Sequence, residues 1–199
     1  MLNWFQSKTP QEKLYKSVKS AILSKNHKPI FEEVKKSMMR NEGHLLIPND
    51  NLEMLGAIGV YLKEHTPPPI SIAEYGFFVG ISEGNIDLAE MTRASGVPAF
   101  ARGNFGLLLA AHNSELKSIE YLKNNGVKGK GGNAVAALST ALEYGDVPVA
   151  QALIGMGISV SQAAISIRSG VNITEILEDL ELKQPEVLAD YDNYGSKAF

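Results

Sequence analysis

Ser114-Glu115-Leu116-Lys117-Ser118-Ile119-Glu120-Tyr121-Leu122-Lys123-Asn124-Asn125-Gly126-Val127 decides the fold, because it is the middle one of three blocks that align with one another. Gly84-Asn85-Ile86, running on to Gly96-Val97, starts 30 residues upstream, and Gly145-Asp146-Val147, running on to Gly157-Ile158, starts 31 residues downstream. In every block the opening and closing positions lie 12 residues apart, and only Ser114 replaces a glycine. A period of this length means one supersecondary unit per repeat, whose apolar face is buried by stacking on its neighbours.

Outward from the blocks the pattern is helical. Eight positions before each block start stands a small residue, Gly76, Gly106 or Ala137, followed at once by Phe77, Leu107 or Leu138. This predicts an inner helix with a close helix-facing surface. Beyond the Gly-Asn, Ser-Glu or Gly-Asp turn, apolar residues recur as Ile86, Leu88, Ala89 and Met91, as Leu116, Ile119, Tyr121 and Leu122, and as Val147, Val149, Ala150, Ala152 and Leu153. Those runs predict a second helix per repeat, with Ala152 and Leu153 buried between adjacent hairpins. Gly96, Gly126 and Gly157 sit where a helix C-terminus takes a positive φ, which glycine adopts without steric cost. Each repeat therefore reads as a helical hairpin. From Ser159 to Leu182 an irregular last unit follows, with Ala163, Ala164 and Ile167 in one helix and Ile173, Ile176, Leu177 and Leu180 in another. Its acidic outer side suits the polar terminal cap that repeat arrays require.

The arrangement resembles the ankyrin repeat over roughly residues 70 to 160, and Leu109-Ala110-Ala111-His112-Asn113-Ser114 fits that family's Ala-Ala-x-x-Gly element. The opening element differs from the family's Thr-Pro-Leu-His, reading Tyr75-Gly76-Phe77-Phe78, Phe105-Gly106-Leu107-Leu108 and Ala136-Ala137-Leu138-Ser139. Without that Thr and His pair, the first turn is expected to be held by packing alone. The period is 2 to 3 residues below the family's 33, which implies trimmed fingers between hairpins. The resemblance implies an all-α fold of stacked helical hairpins, forming an ankyrin-like repeat solenoid with an N-terminal helical cap. It also implies a non-enzymatic protein-binding scaffold, adaptor or inhibitor acting through its concave face and inter-repeat fingers. Carried onto this chain, the partner-binding candidates are Arg102 and Asn104 in the first finger, Lys128, Lys130 and Asn133 in the second, and Ser159 and Ser161 in the third.

Ahead of the repeats lies a basic region. Thr9, Pro10 and Glu12 form the start signal of a helix over residues 9–25, with Leu14, Val18 and Ile22 on one face and Lys13, Lys16 and Lys19 around it. Ile30, Phe31, Val34 and Met38 predict a second helix ending by Asn41 or Gly43, and Asn49 or Asp50 is expected to cap a third carrying Leu52, Met54, Leu55, Ile58, Tyr61 and Leu62. Pro67, Pro68 and Pro69 stop it, because proline offers no amide donor. The expected organisation is a basic helical region or cap over 1–66, the array over 70–184 and an acidic tail over 185–199. Residues 1 to 40 hold nine Lys or Arg against three acidic residues, a net +6, while the remainder holds ten against nineteen, a net −9. Such a basic stretch is either a cap with solvated lysines or a surface for nucleic acid or an anionic membrane.

Sites for chemistry are sparse. The chain of 199 residues has no cysteine, which removes disulfides and thiolate metal sites and favours a cytoplasmic location. His27, His44, His65 and His112 fall in four different elements without paired spacing, so no metal site or cofactor is expected. His112, ending an inner helix, is expected to bond a free carbonyl there. Gly126-Val127-Lys128-Gly129-Lys130-Gly131-Gly132-Asn133 is glycine-rich and basic, yet it lacks the Lys-Ser/Thr ending and the preceding strand of a P-loop. It reads instead as the second finger.

Overall fold

The computed structural model describes residues 8–24, 28–49, 52, 55–65, 69–167 and 178. Among them the fold is all-α, apart from one short antiparallel ribbon. The chain divides into two compact units, one comprising Met1–Gly80 with Asp87–Val97, the other Ile81–Ile86 with Pro98–Phe199.

The first unit opens with α1 (Pro10–Leu23). Its capping box is complete: the Glu12 amide donates to Thr9 Oγ1 at 3.2 Å and the Thr9 amide to Glu12 Oε2 at 2.7 Å. Leu14, Val18 and Ala21 are buried, and α1 packs on α2 (Lys28–Met39), which buries Ile30, Val34 and Ser37. Two residues of β1 (Leu46–Ile47) then pair with β2 (Ile70–Ser71), Leu46 opposite Ser71 and Ile47 opposite Ile70. The third helix, α3 (Ala57–His65), begins several residues after the expected Asn49 or Asp50 cap. Gly56 precedes it at a φ of 85°, a conformation that ends the preceding turn rather than continuing it. Leu52 and Leu55 are buried all the same, so their apolarity marked the core although neither of the two lies in an α-helix.

The same unit holds α4 (Ile72–Ser82) as far as Gly80 and α5 (Ile86–Ala94) from Asp87. Ser71 and Glu74 make a reciprocal start for α4, the Glu74 amide donating to Ser71 Oγ at 3.1 Å and the Ser71 amide to Glu74 Oε2 at 3.2 Å. A Cβ on Gly76 would stand 2.6 Å from Val34 Cγ1 and 3.0 Å from Thr92 Cγ2. The small residue thus lets α2 and α5 approach α4 directly, and the basic N-terminal helices spend their apolar faces inside the unit.

The second unit contains α6 (Ala101–His112), α7 (Leu116–Asn124), α8 (Gly132–Glu143), α9 (Val147–Ile154) and α10 (Val160–Ile165). Helices α6 and α8 pack together, α7 lies on α9, and α10 on α8. The hairpin turns share one hydrogen-bond scheme. Glu115 and Asp146 amides donate to Ala110 and Ala141 carbonyls at 2.8 and 2.9 Å, and Leu116 and Val147 amides to residues 114 and 145 at 3.2 and 3.0 Å. The third turn, at Gly84, repeats the latter bond from the Ile86 amide at 3.1 Å. The turn positions Gly84, Ser114 and Gly145 have φ of 64°, 56° and 65°, and the closing Gly96, Gly126 and Gly157 have 102°, 80° and 84°. The expected positive φ at each closing glycine is present. On α9 the buried residues are Val149, Ala150 and Leu153, whereas Ala152 is half-buried, so the predicted face is displaced by part of a turn. The second helix expected at 173–180 and the tail at 185–199 lie outside the described residues, save Glu178, which is exposed.

Candidate functional site

Pro98-Ala99-Phe100 leads into α6 through three consecutive residues in the left-handed region: Arg102, Gly103 and Asn104, with φ of 52°, 63° and 67°. Left-handed backbone costs a residue with a Cβ about 1–2 kcal/mol, so a run of it needs contacts that hold it in place. Asn133, in the first turn of α8, meets that need. Its Nδ2 donates to the carbonyls of Arg102 at 3.1 Å and Gly103 at 3.0 Å. In the opposite direction Asn104 Nδ2 donates to the carbonyls of Lys128 at 3.1 Å and Lys130 at 2.9 Å. The opening of α6 is therefore held by a reciprocal pair of asparagines, and not by packing alone as the sequence suggested.

The second finger is pinned from its other side too. The Lys130 amide donates to the Lys128 carbonyl at 2.8 Å across Gly129, and the Gly129 amide to the Met156 carbonyl at 3.3 Å. A Cβ on Gly129 would reach 2.8 Å from the Met156 carbonyl oxygen and would strike Ile158. Only glycine lets the finger lie so flat. Between the two fingers opens a recess of about 350 Å³ lined by Phe100, Gly103, Asn104, Gly126, Lys128 and Lys130. Phe100 is 65% exposed. Neither lysine ammonium group has an ion-pair or hydrogen-bond partner among the described residues.

Of the residues singled out by sequence, Asn104, Lys128 and Lys130 line this recess, while Asn133 and Arg102 do not and are joined instead by the bond from Asn133 Nδ2 to the Arg102 carbonyl. Ser159 and Ser161 do not line it. Ser159 caps α10 by accepting from the Gln162 amide at 3.4 Å, and its Oγ lies 2.8 Å from Ser161 Oγ. Phe100 was missed. Its signal was an aromatic residue outside both flanking helical patterns, two residues ahead of the Arg102-Gly103-Asn104 run.

Two other places carry polar or charged groups. His112 Nδ1 lies 3.0 Å from the Tyr144 hydroxyl with ring centroids 5.7 Å apart, so this histidine has a side-chain partner from the next hairpin that the carbonyl expectation had not named. In the first unit Lys13, Lys16 and Lys19 are exposed on α1, where a recess of about 500 Å³ is lined by Lys16, Lys19, Ser20, Leu23 and Ser24. Arg40, the arginine of that basic stretch, is paired with Glu33 at 2.9 Å and Glu42 at 2.6 Å. Among the described residues no group of three or more His, Asp or Glu is placed to hold a metal ion, and no helix is long and apolar enough to cross a membrane. In comparisons with family models, curated proteins and solved structures, nothing matches this chain.

Proposed function

We propose that the chain is an ankyrin-like repeat scaffold that binds a partner protein without catalysing a reaction, using the surface between its inter-hairpin fingers. The observation that carries this reading is the Phe100 recess. A large aromatic side chain stands 65% exposed between two loops whose backbones are locked by Asn104, Asn133 and the Gly129 contact. Rigid loops bearing an exposed aromatic anchor bind with little entropy lost on association, which is the usual condition for a binding hot spot. The repeated turn geometry at Gly84, Ser114 and Gly145 supports the repeat architecture. Affinity capture from a native lysate, run with the intact chain and with Phe100→Ser, tests the proposal. At least one protein should be retained by the first and lost by the second, with thermal unfolding unchanged. Identical captured sets would overturn it.

A second reading rests on α1, where exposed Lys16 and Lys19 line one recess with Leu23, itself 75% exposed, and Lys13 is exposed further along the helix. This surface would attract nucleic acid phosphates or anionic lipid headgroups, and the attraction would weaken with added salt. Co-sedimentation with anionic vesicles and retardation of DNA or RNA at low salt are the measurements. Equal behaviour of the intact chain and Lys16→Glu/Lys19→Glu would remove it. The apolar face of α1 argues against insertion into a membrane, since Leu14 and Val18 are fully buried within the unit.

A further inference from the structure

The recess between the fingers is selective in what it offers. Its lining carries two lysines and no carboxylate, so a ligand entering it meets a local positive field. Asn104 spends both bonds of its Nδ2 on the Lys128 and Lys130 carbonyls, and that orients its Oδ1 as an acceptor with no partner among the described residues. A free acceptor of this kind suits a peptide N–H. Phe100 adds an apolar platform. We propose that the Phe100–Lys128–Lys130 recess is the docking site for an acidic, extended peptide segment of a partner protein, with an apolar side chain on Phe100, carboxylates on Lys128 and Lys130, and a backbone amide on Asn104 Oδ1. This assignment rests on the scaffold reading above and adds the chemistry of the partner.

The lysines gain from where they stand. Their backbone carbonyls are held at 3.1 and 2.9 Å by one asparagine side chain, and the glycine between them lies on the Met156–Ile158 segment. The finger therefore pays little ordering entropy when the ammonium groups meet carboxylates. A volume of about 350 Å³ falls in the lower part of the range of ligand recesses, enough for a few residues of peptide rather than a folded surface.

The test uses the intact chain and a fluorescein-labelled peptide of sequence Gly-Ser-Glu-Asp-Phe-Asp-Glu-Ser-Gly in fluorescence anisotropy at low salt. Saturable binding is expected. It should weaken by at least about tenfold for Lys128→Glu/Lys130→Glu, for Phe100→Ser, and for a peptide with Asn and Gln in place of Asp and Glu. Equal affinity for the neutral peptide, or unchanged affinity of the lysine variant, would overturn the proposal. So would complete displacement by millimolar inorganic phosphate, which would mark an anion site instead. Binding that requires deletion of residues 186–199 would assign the recess to the chain's own acidic end. Concentration-dependent self-association abolished by the lysine substitutions would assign it to a second copy. If the peptide fails while Phe100-dependent capture of a partner persists, the acidic chemistry falls and the scaffold reading stands; if both fail, both fall.

Discussion

Gly145→Ala and Ser114→Gly form a matched pair that probes the hairpin turns with steric effects removed. Position 145 has a φ of 65°, and a Cβ placed there would find no heavy atom within 4 Å. The cost of alanine is then the backbone alone, the left-handed penalty of about 1–2 kcal/mol less the entropy that alanine removes from the unfolded chain. A net loss of about 1 kcal/mol follows. Ser114 occupies the equivalent position at a φ of 56°, and its hydroxyl has no hydrogen-bond partner among the described residues. Replacing it with glycine releases the same strain, so the variant should gain about 0.5 kcal/mol or more. Urea unfolding at 25 °C followed by circular dichroism resolves both, and for a chain of this size 1 kcal/mol corresponds to about 2–4 °C in Tm. The double variant should lie close to the parent. If Ser114→Gly destabilises, or Gly145→Ala is neutral, the two turns do not share a conformation and the alignment of the blocks is wrong.

Three further outcomes follow from the packing. Leu153 is fully buried on α9, so Leu153→Asp should cost about 3 kcal/mol or more through an unpaired buried charge, read as a lowered urea midpoint; near-parental stability would contradict its burial. Asn133→Ala withdraws the donor shared by the Arg102 and Gly103 carbonyls and should cost about 1–3 kcal/mol, with faster amide exchange at residues 101–104; unaltered exchange there would show that the clamp holds nothing. Tyr144→Phe removes the hydroxyl that meets His112 in a partly exposed pair, and should change stability by less than about 1.5 kcal/mol; a larger loss in urea unfolding would mean that the contact organises the neighbouring turn.

What was legible in the sequence was whatever local backbone chemistry determines. Thr9, Pro10 and Glu12 announced α1 because an N-terminal amide needs a nearby acceptor, and the closing glycines announced hairpin ends because few other residues tolerate their φ. The β1–β2 ribbon stayed hidden, since two residues per strand leave no alternation to detect and α3 intervenes between the partners. The start of α3 was misplaced for a related reason: Leu52 and Leu55 are spaced as on a helix and are buried, but Gly56 at positive φ separates them from it. The finger site was half visible. Lysines among glycines pointed to the second loop, while Phe100 and the asparagine pair depend on contacts about one repeat apart in sequence. Such contacts exist only after the hairpins have stacked.

The two asparagines also set what can be exchanged. Asn104 belongs to the α6–α7 hairpin but serves the loop before α8, and Asn133 belongs to α8 but serves the turn that opens α6. A hairpin excised at its glycines would carry one donor whose acceptors stay behind and carbonyls whose donor is lost. The exchangeable piece at this junction is therefore a hairpin together with the loop it shares, and a duplication or deletion cut at Gly126 would leave a defect at that seam. Pieces cut within the helices, away from the fingers, would preserve both halves of the clamp.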